Sequence, residues 1–221
     1  MMYTIKNLFQ PTLKLKICVL SFTFLALFFF STRAQSQRPV KLTILHQPEK
    51  VKIDRREWLY YEINITNSLT DTVKLIGLKV QGKKTFNRFF TASNQDLVTR
   101  LGHSEKPGII VPNETVTLYL EFPVPAVLPD DNLSNVLEFT AASDSTVMSD
   151  TLVTAIIKRT TVVLGKPLQG GPWTAVYDPY WPKGHRRVEF WINGVKRIPG
   201  RFAIDFIKLH PDGRYAHDNT D

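Results

Sequence analysis

Apolar and polar residues alternate through most of the chain between Pro39 and Arg159. In "LYYEINIT", Leu59, Tyr61, Ile63 and Ile65 alternate with Tyr60, Glu62, Asn64 and Thr66. In "TVTLYLEF", Val116, Leu118, Leu120 and Phe122 alternate with threonine, tyrosine and glutamate. A period of two places one set of side chains on a core and the other on the opposite face, which is the pattern of a half-buried strand. Shorter runs of the same texture are "VKLTIL" from Val40, "VKLIGLKV" from Val73, "VLEFTA" from Val136 and "TLVTAIIK" from Thr151. Turn-forming clusters ("NSLTD", "PNE", "LPDDN") separate them. The alternation changes phase at Ile76-Gly77, which predicts a β-bulge there. Six or seven short strands over about 120 residues predict an immunoglobulin-like β-sandwich. "NRFFTASNQDLVTRLGH", from Asn87, is less regular and fits either an edge strand with its connecting loop or a short helix over 94–99.

Past Thr160 the texture changes. "VVLGKPLQGGPWTAVYDPYWPKGHRRVEFWINGVKRIPG" is rich in Gly, Pro and Trp and reads as a linker leading into a second region. "RVEFWI" and "VKRI" flank Asn193-Gly194, the strongest two-residue hairpin signal. Pro199-Gly200 turns the chain into a third strand, "FAIDFI", and "PDG" at 211–213 turns it out, so a three-stranded meander is expected. Asp205 lies at the centre of that apolar strand. Burying an ionised carboxylate is costly unless a partner, hydrogen bonds or a metal compensates it.

Composition changes the picture at the amino terminus. The net charge is +8, but Lys6, Lys14, Lys16 and Arg33 lie in the first 34 residues, which contain no acid. The remaining 24 basic residues face 20 acidic ones, with no block of like charge, which argues against a nucleic-acid partner. The apolar run "ICVLSFTFLALFFF" after Lys16, followed by small residues at Thr32 and Ala34, has the three-part pattern of a secretory signal peptide, with cleavage expected after Ala34. At 14 residues the run is shorter than the ~20 that a membrane span needs, so no span is expected after cleavage. The one cysteine, Cys18, falls within this segment, so the exported chain would use no disulfide. The predicted organisation is a signal peptide over 1–34, a sandwich over 35–160, and a linker with a second β-rich region over 161–221. The localisation expected is secreted or periplasmic.

The second region also holds the candidate chemistry. His185, His210 and His217 have no tight metal-binding spacing, and each reads as well as a solvated side chain. Trp173, Trp181, Trp191, Tyr177 and Tyr180 fit either packing or a sugar-stacking face. Asp205 fits either a metal ligand or the partner of Arg201 or Arg187 in a structural ion pair.

The run "LGKPLQGGPWTAVYDP…GHRRVEFWINGVKRIPGRFAIDFIKLHPDGR", behind a sandwich reading "GIIVPNETVTLYLEFP", resembles the opening segment of bacterial lysostaphin-like zinc metallopeptidases, the peptidoglycan endopeptidase family. Specifically, it is similar to the subgroup in which a secreted β-sandwich precedes the peptidase domain. The resemblance implies a zinc cofactor, peptidoglycan or another cell-envelope component as partner, and Asp205 as the aspartate ligand of an H-x-x-x-D motif. Arg201 stands where that motif has histidine, and the family's later H-x-H motif is not in this sequence. The chain is therefore expected to be all-β, a sandwich followed by the first strands of an incomplete lysostaphin-like domain. It would be catalytically incomplete on its own. The alternative is a non-catalytic sandwich that binds envelope polymers or offers a sheet edge to a partner strand during envelope assembly.

Overall fold

The computed structural model describes residues 38–53, 55–102, 106–158, 165–178, 181 and 183–215. The expected signal peptide and its cleavage site, His217, Tyr180 and the 160/161 boundary lie outside the described residues. The described residues belong to one compact unit. It is all-β, with antiparallel sheets and a single short α-helix among the described residues.

Two sheets form the sandwich. One has the order β1 (Val40–Ile53), β2 (Arg56–Asn67), β6 (Thr115–Val124). The other has the order β4 (Arg88–Ser93), β3 (Val73–Gly82), β7 (Asn132–Ala141), β8 (Asp144–Ala155), with the two-residue β5 (Ile109–Ile110) also paired to β3. The alternation read from the sequence maps directly onto the interior. Leu59, Tyr61, Ile63 and Ile65 of β2 and Val116, Leu118, Leu120 and Phe122 of β6 meet Val73, Leu75, Leu78, Val80, Leu133, Leu137 and Phe139 of the facing sheet. Each fully buried side chain of this size contributes about 1.5–3 kcal/mol relative to an exposed one. One polar link crosses the core: the Tyr61 hydroxyl donates to Asn135 Oδ1 at 2.7 Å, and Asn135 donates in turn to the Leu152 carbonyl at 3.0 Å.

The register of β3 against β7 slips between Leu75 and Gly77. That bulge lets Leu75 and Leu78, three residues apart, both point inward. In the irregular segment both readings hold in succession: β4 ends at Ser93, and α1 (Asn94–Arg100) follows. The Ser93 amide donates to Asp96 Oδ2 at 3.0 Å, the reciprocal half of a capping box, and Leu97 enters the core.

Beyond Gly165 the strands are short. The hairpin β10 (Phe190–Ile192) and β11 (Val195–Arg197) turns at Asn193 and Gly194, both with positive φ (51° and 72°), as a two-residue type I′ connection requires. The third strand departs from the expected meander. β12 (Asp205–Lys208) pairs not with β11 but with β9 (Trp173–Val176), placing Asp205 opposite Val176 and Lys208 opposite Trp173. The physical reason is an anchor between β11 and β12. Ile198 and Arg201 are both buried, and Arg201 bonds Glu62 of the sandwich, which carries the chain away from the hairpin before β12 begins. Asp205 is the first residue of this strand rather than its centre, and all four residues of β12 are exposed. The burial cost that its apolar neighbours implied therefore does not arise.

Candidate functional site

The outer face of the three-stranded sheet is not open to solvent. Tyr60, Glu62, Thr117, Tyr119 and Glu121 occupy the polar phase of β2 and β6, yet all are buried. What covers them is the segment beyond Gly165. Arg186, in a single 3-10 turn (His185–Arg187), is 1 % exposed. Its Nε and Nη2 donate to Glu62 Oε1 at 3.2 and 3.0 Å, its Nη2 also to the Leu120 carbonyl at 2.9 Å, and its Nη1 to Glu121. The guanidinium carbon lies 4.8 Å from the Tyr60 ring centroid. Arg201 reaches the same carboxylate, Nε to Glu62 Oε1 at 3.2 Å, and lies 3.5 Å from Glu49. His46 Nδ1 approaches Glu62 Oε2 at 3.1 Å from the sandwich side. Burial by itself would raise the Glu62 pKa; contact with His46 and the charges of Arg201 and Arg186 outweigh it and hold the carboxyl below its ordinary value. A second set of contacts ties down the hairpin. Tyr119 donates to Glu189 at 3.0 Å, and Lys196 contacts Glu189 at 2.8 Å and Thr117 at 3.2 Å.

Two of the residues singled out in the sequence come together on top of this anchored layer. His185 Nε2 lies 3.0 and 3.2 Å from the two carboxylate oxygens of Asp205. Both side chains are about half exposed, 49 % and 55 %. They line a recess of about 20 Å³ with Tyr177, Trp181 and Ala203, room for one water-sized atom. The approach is close: a Cβ on Gly200 would sit 3.1 Å from the His185 Cβ, so a side chain there would push the histidine away. Arg201 and Arg187, the other candidate partners of Asp205, are engaged elsewhere. Arg201 is on Glu62, and Arg187 donates to the Leu101 carbonyl at 2.9 Å. Among the candidate aromatics, Tyr177 and Trp181 reach the recess, Trp191 is 72 % exposed at the hairpin, and Trp173 lies under Lys208. His210 does not line the recess; its amide donates to the Arg214 carbonyl at 2.7 Å, closing a turn.

An imidazole nitrogen and a carboxylate are the donor types zinc accepts, at about 2.0–2.2 Å each. Two ligands at that distance in a tetrahedron are about 3.3 Å apart, and the His185 to Asp205 separation is close to this edge. At 3.0 Å the two are a hydrogen-bonded pair, and the same two donors stand near the separation of neighbouring zinc ligands. Among the described residues no group of three His, Cys, Asp or Glu side chains is placed to hold a metal.

The glutamates that anchor this layer carry no motif. One signal was available: Glu62 and Glu121 lie on adjacent strands, each opposite a tyrosine of the other (Glu62 with Tyr119, Glu121 with Tyr60), so two acids share one face and call for cations.

The chain matches no family profile and no curated protein sequence. Among solved structures it is similar to a Bordetella pertussis protein described as ApaA, at 13% identity and a TM-score of 0.35, covering 55% of this chain and 98% of that one. It is also similar to a FixG-related protein from Vibrio parahaemolyticus, at 11% identity and a TM-score of 0.28, covering 54% of this chain and 98% of that one. At these scores the likenesses carry no argument about what the chain does. No helix among the described residues is long and apolar enough to cross a membrane.

Proposed function

We propose that this is an exported cell-envelope protein of the lysostaphin-like metallopeptidase kind, in which His185 and Asp205 supply two ligands of the zinc site. The observation that carries the reading is the 3.0 Å approach of His185 to the aspartate that matches the family's motif. In this arrangement His185 takes the place that Arg201 leaves vacant in H-x-x-x-D, while Arg201 serves as a structural anchor. A bound zinc supplies an activated water for hydrolysis of a peptide bond. The chain's own contribution is to hold the two donors at ligand separation, in a recess walled by Tyr177 and Trp181. A catalytic zinc takes three protein ligands and a water. Two ligands bind zinc without completing the catalytic site, so this chain is expected to bind the metal weakly and to leave peptidoglycan intact.

The test is a calorimetric titration of the full chain with Zn²⁺, beside Asp205→Ala and His185→Ala, together with a peptide-release assay on purified peptidoglycan. The expected result is weak binding, well short of the ~10–16 kcal/mol of complete structural sites, lost in both variants. Zinc binding unchanged by both substitutions would overturn the reading. Release of wall peptides would overturn the statement of incompleteness.

A second reading, a non-catalytic module that binds an envelope polymer, draws on the exposed Phe190, Trp191 and Ile192 of the hairpin. Retention of the wild-type chain on insoluble peptidoglycan, lost in Trp191→Ala, would favour it.

A further inference from the structure

We infer that Glu62, a residue of the sandwich, is the positioning residue of the His185–Asp205 pair; the inference rests on the zinc reading above for what the pair is for. The two side chains bond to each other but sit at the surface. Both side chains are half exposed, and the ladder that carries Asp205 is two strands of four residues, an arrangement marginal by itself in water. Their orientation has to be imposed from a more rigid body, and both arms lead back to one carboxylate. On the first arm, Arg186 follows His185 directly and places two donors on Glu62 Oε1. On the second, Arg201, four residues before Asp205, donates to the same oxygen, and the turn between Ile198 and Arg201 sets Gly200 against His185.

Glu62 is 0 % exposed and sits in the middle of β2, with Ile63 and Tyr61 locked in the core on either side. Its carboxylate is therefore among the least movable in the molecule. The guanidinium fork of Arg186 fixes direction as well as distance, since its donors are rigid in one plane. The acid thus supports the pair at one remove, bonding the arginines that flank it in the chain rather than His185 or Asp205 themselves; a carboxylate bonded directly to a metal ligand is worth about 10–100-fold in metal affinity. The sandwich and the segment after Gly165 are consequently one device, with the sandwich supplying the fixed point.

The experiment compares full-length wild type with Glu62→Gln, which keeps the shape and removes the charge, and with Arg186→Lys, which keeps the charge and removes the fork. Two readouts are taken: Zn²⁺ affinity with the visible spectrum of the Co²⁺ form, and hydrogen exchange of residues 186–188 and 205–208 against 59–65 and 116–122. The expected result is a weaker metal affinity, at the ~10-fold end of that range, with an altered cobalt spectrum. Faster exchange at 186–188 and 205–208 should accompany it, while the β2 and β6 amides stay protected. Wild-type metal affinity and wild-type exchange in both variants would overturn the inference. If the wild-type chain binds no metal, the zinc reading falls, and the exchange arm alone decides: faster exchange confined to the pair upholds the positioning role, and unchanged exchange removes it. Should Glu62→Gln lose protection throughout the sandwich, Arg186→Lys decides by the same two criteria.

Discussion

The sandwich and the segment that lies on it are built from similar strand-forming residues but held by different forces. From Val40 to Phe139 the interior is a continuous apolar cluster, drawn from both sheets. In the segment beyond Gly165, Ile198 is the one hydrophobic residue in the buried set among the described residues, and Val188, Phe190, Ile192, Val195, Phe202 and Ile204 all remain exposed. The long polar side chains it buries are charged: Arg186 and Arg201. Apolar burial is non-directional and sums over many contacts. A buried ion pair is directional, and its worth depends on every partner being in place. The sandwich is stabilised collectively, whereas the segment is fixed at a few charged points that set its orientation.

The comparison can be broken most forcefully from the core. Phe139→Ala removes a ring that is wholly buried between the sheets, and the expected loss is about 3–5 kcal/mol. A urea melt followed by far-ultraviolet circular dichroism should show the whole unit unfolding at lower denaturant. Retention of the segment's ordered tryptophan signal after the sandwich has melted would contradict this dependence.

Arg186→Met tests the other half of the contrast. It removes the guanidinium shared by Glu62 and Glu121, but Glu62 keeps Arg201 and Glu121 keeps Arg100 at 2.5 Å, so the expected loss lies below the ~3–5 kcal/mol of a fully broken buried pair. Most of that loss should fall on the segment's attachment: faster proteolysis after Gly165, with the sandwich's melt shifted far less. An equal effect on both regions would show that the sandwich and the segment are held together as one body.

Acid should sharpen the contrast with a smaller effect. Burial would raise both Glu62 and Glu189; His46, Arg201 and Arg186 offset this at Glu62, and Lys196, Thr117 and Tyr119 offset it at Glu189, so both end below the ordinary carboxylate value. A depressed folded-state pKa contributes stability that is fully present above the unfolded value, about 4.3, and is lost as pH falls through the folded value. Segment detachment is thus expected only below about pH 4. Tryptophan fluorescence suits the measurement, because Trp173, Trp181 and Trp191 lie in the segment and Trp58 alone in the sandwich. Detachment on raising the pH from 5 to 7 would reverse the predicted sign.

The smallest effect is expected at the hairpin tip. Trp191→Ala removes a 72 % exposed ring, and stability should change by no more than about 0.5 kcal/mol. A larger loss in a thermal melt would mean that the hairpin's apolar face is packed in solution.

Much of the sandwich was legible because a period-two pattern and the geometry of a pleated strand are the same fact. The inward residues of β2 and β6, the bulge at Gly77 and the turn at Asn193-Gly194 follow from local chemistry. The candidate site was legible only in its parts. Asp205 and His185 were both singled out, but they are 20 residues apart in sequence, and no spacing rule joins residues on a 3-10 turn and on a separate strand. Arg201, read as a failed ligand or an ion-pair partner for Asp205, faces Glu62 instead.

By itself, then, the sequence determined the inward set of β2 and β6, the bulge at Gly77 and the hairpin turn, since these depend on neighbours along the chain. The reach of β1 to Ile53, the start of β8 at Asp144 and β9 within the stretch read as linker carried no such mark. Only the tertiary structure decided what lies on the other side. Tyr60, Glu62, Tyr119 and Glu121 look like a solvent-facing stripe, because in sequence a glutamate destined for a buried arginine is indistinguishable from one destined for water. The same holds for strand pairing: β12 carries no mark that selects β9 over β11. The choice is tied to Arg201, whose bond to Glu62 of the sandwich draws the chain across, a long-range effect with no local signature.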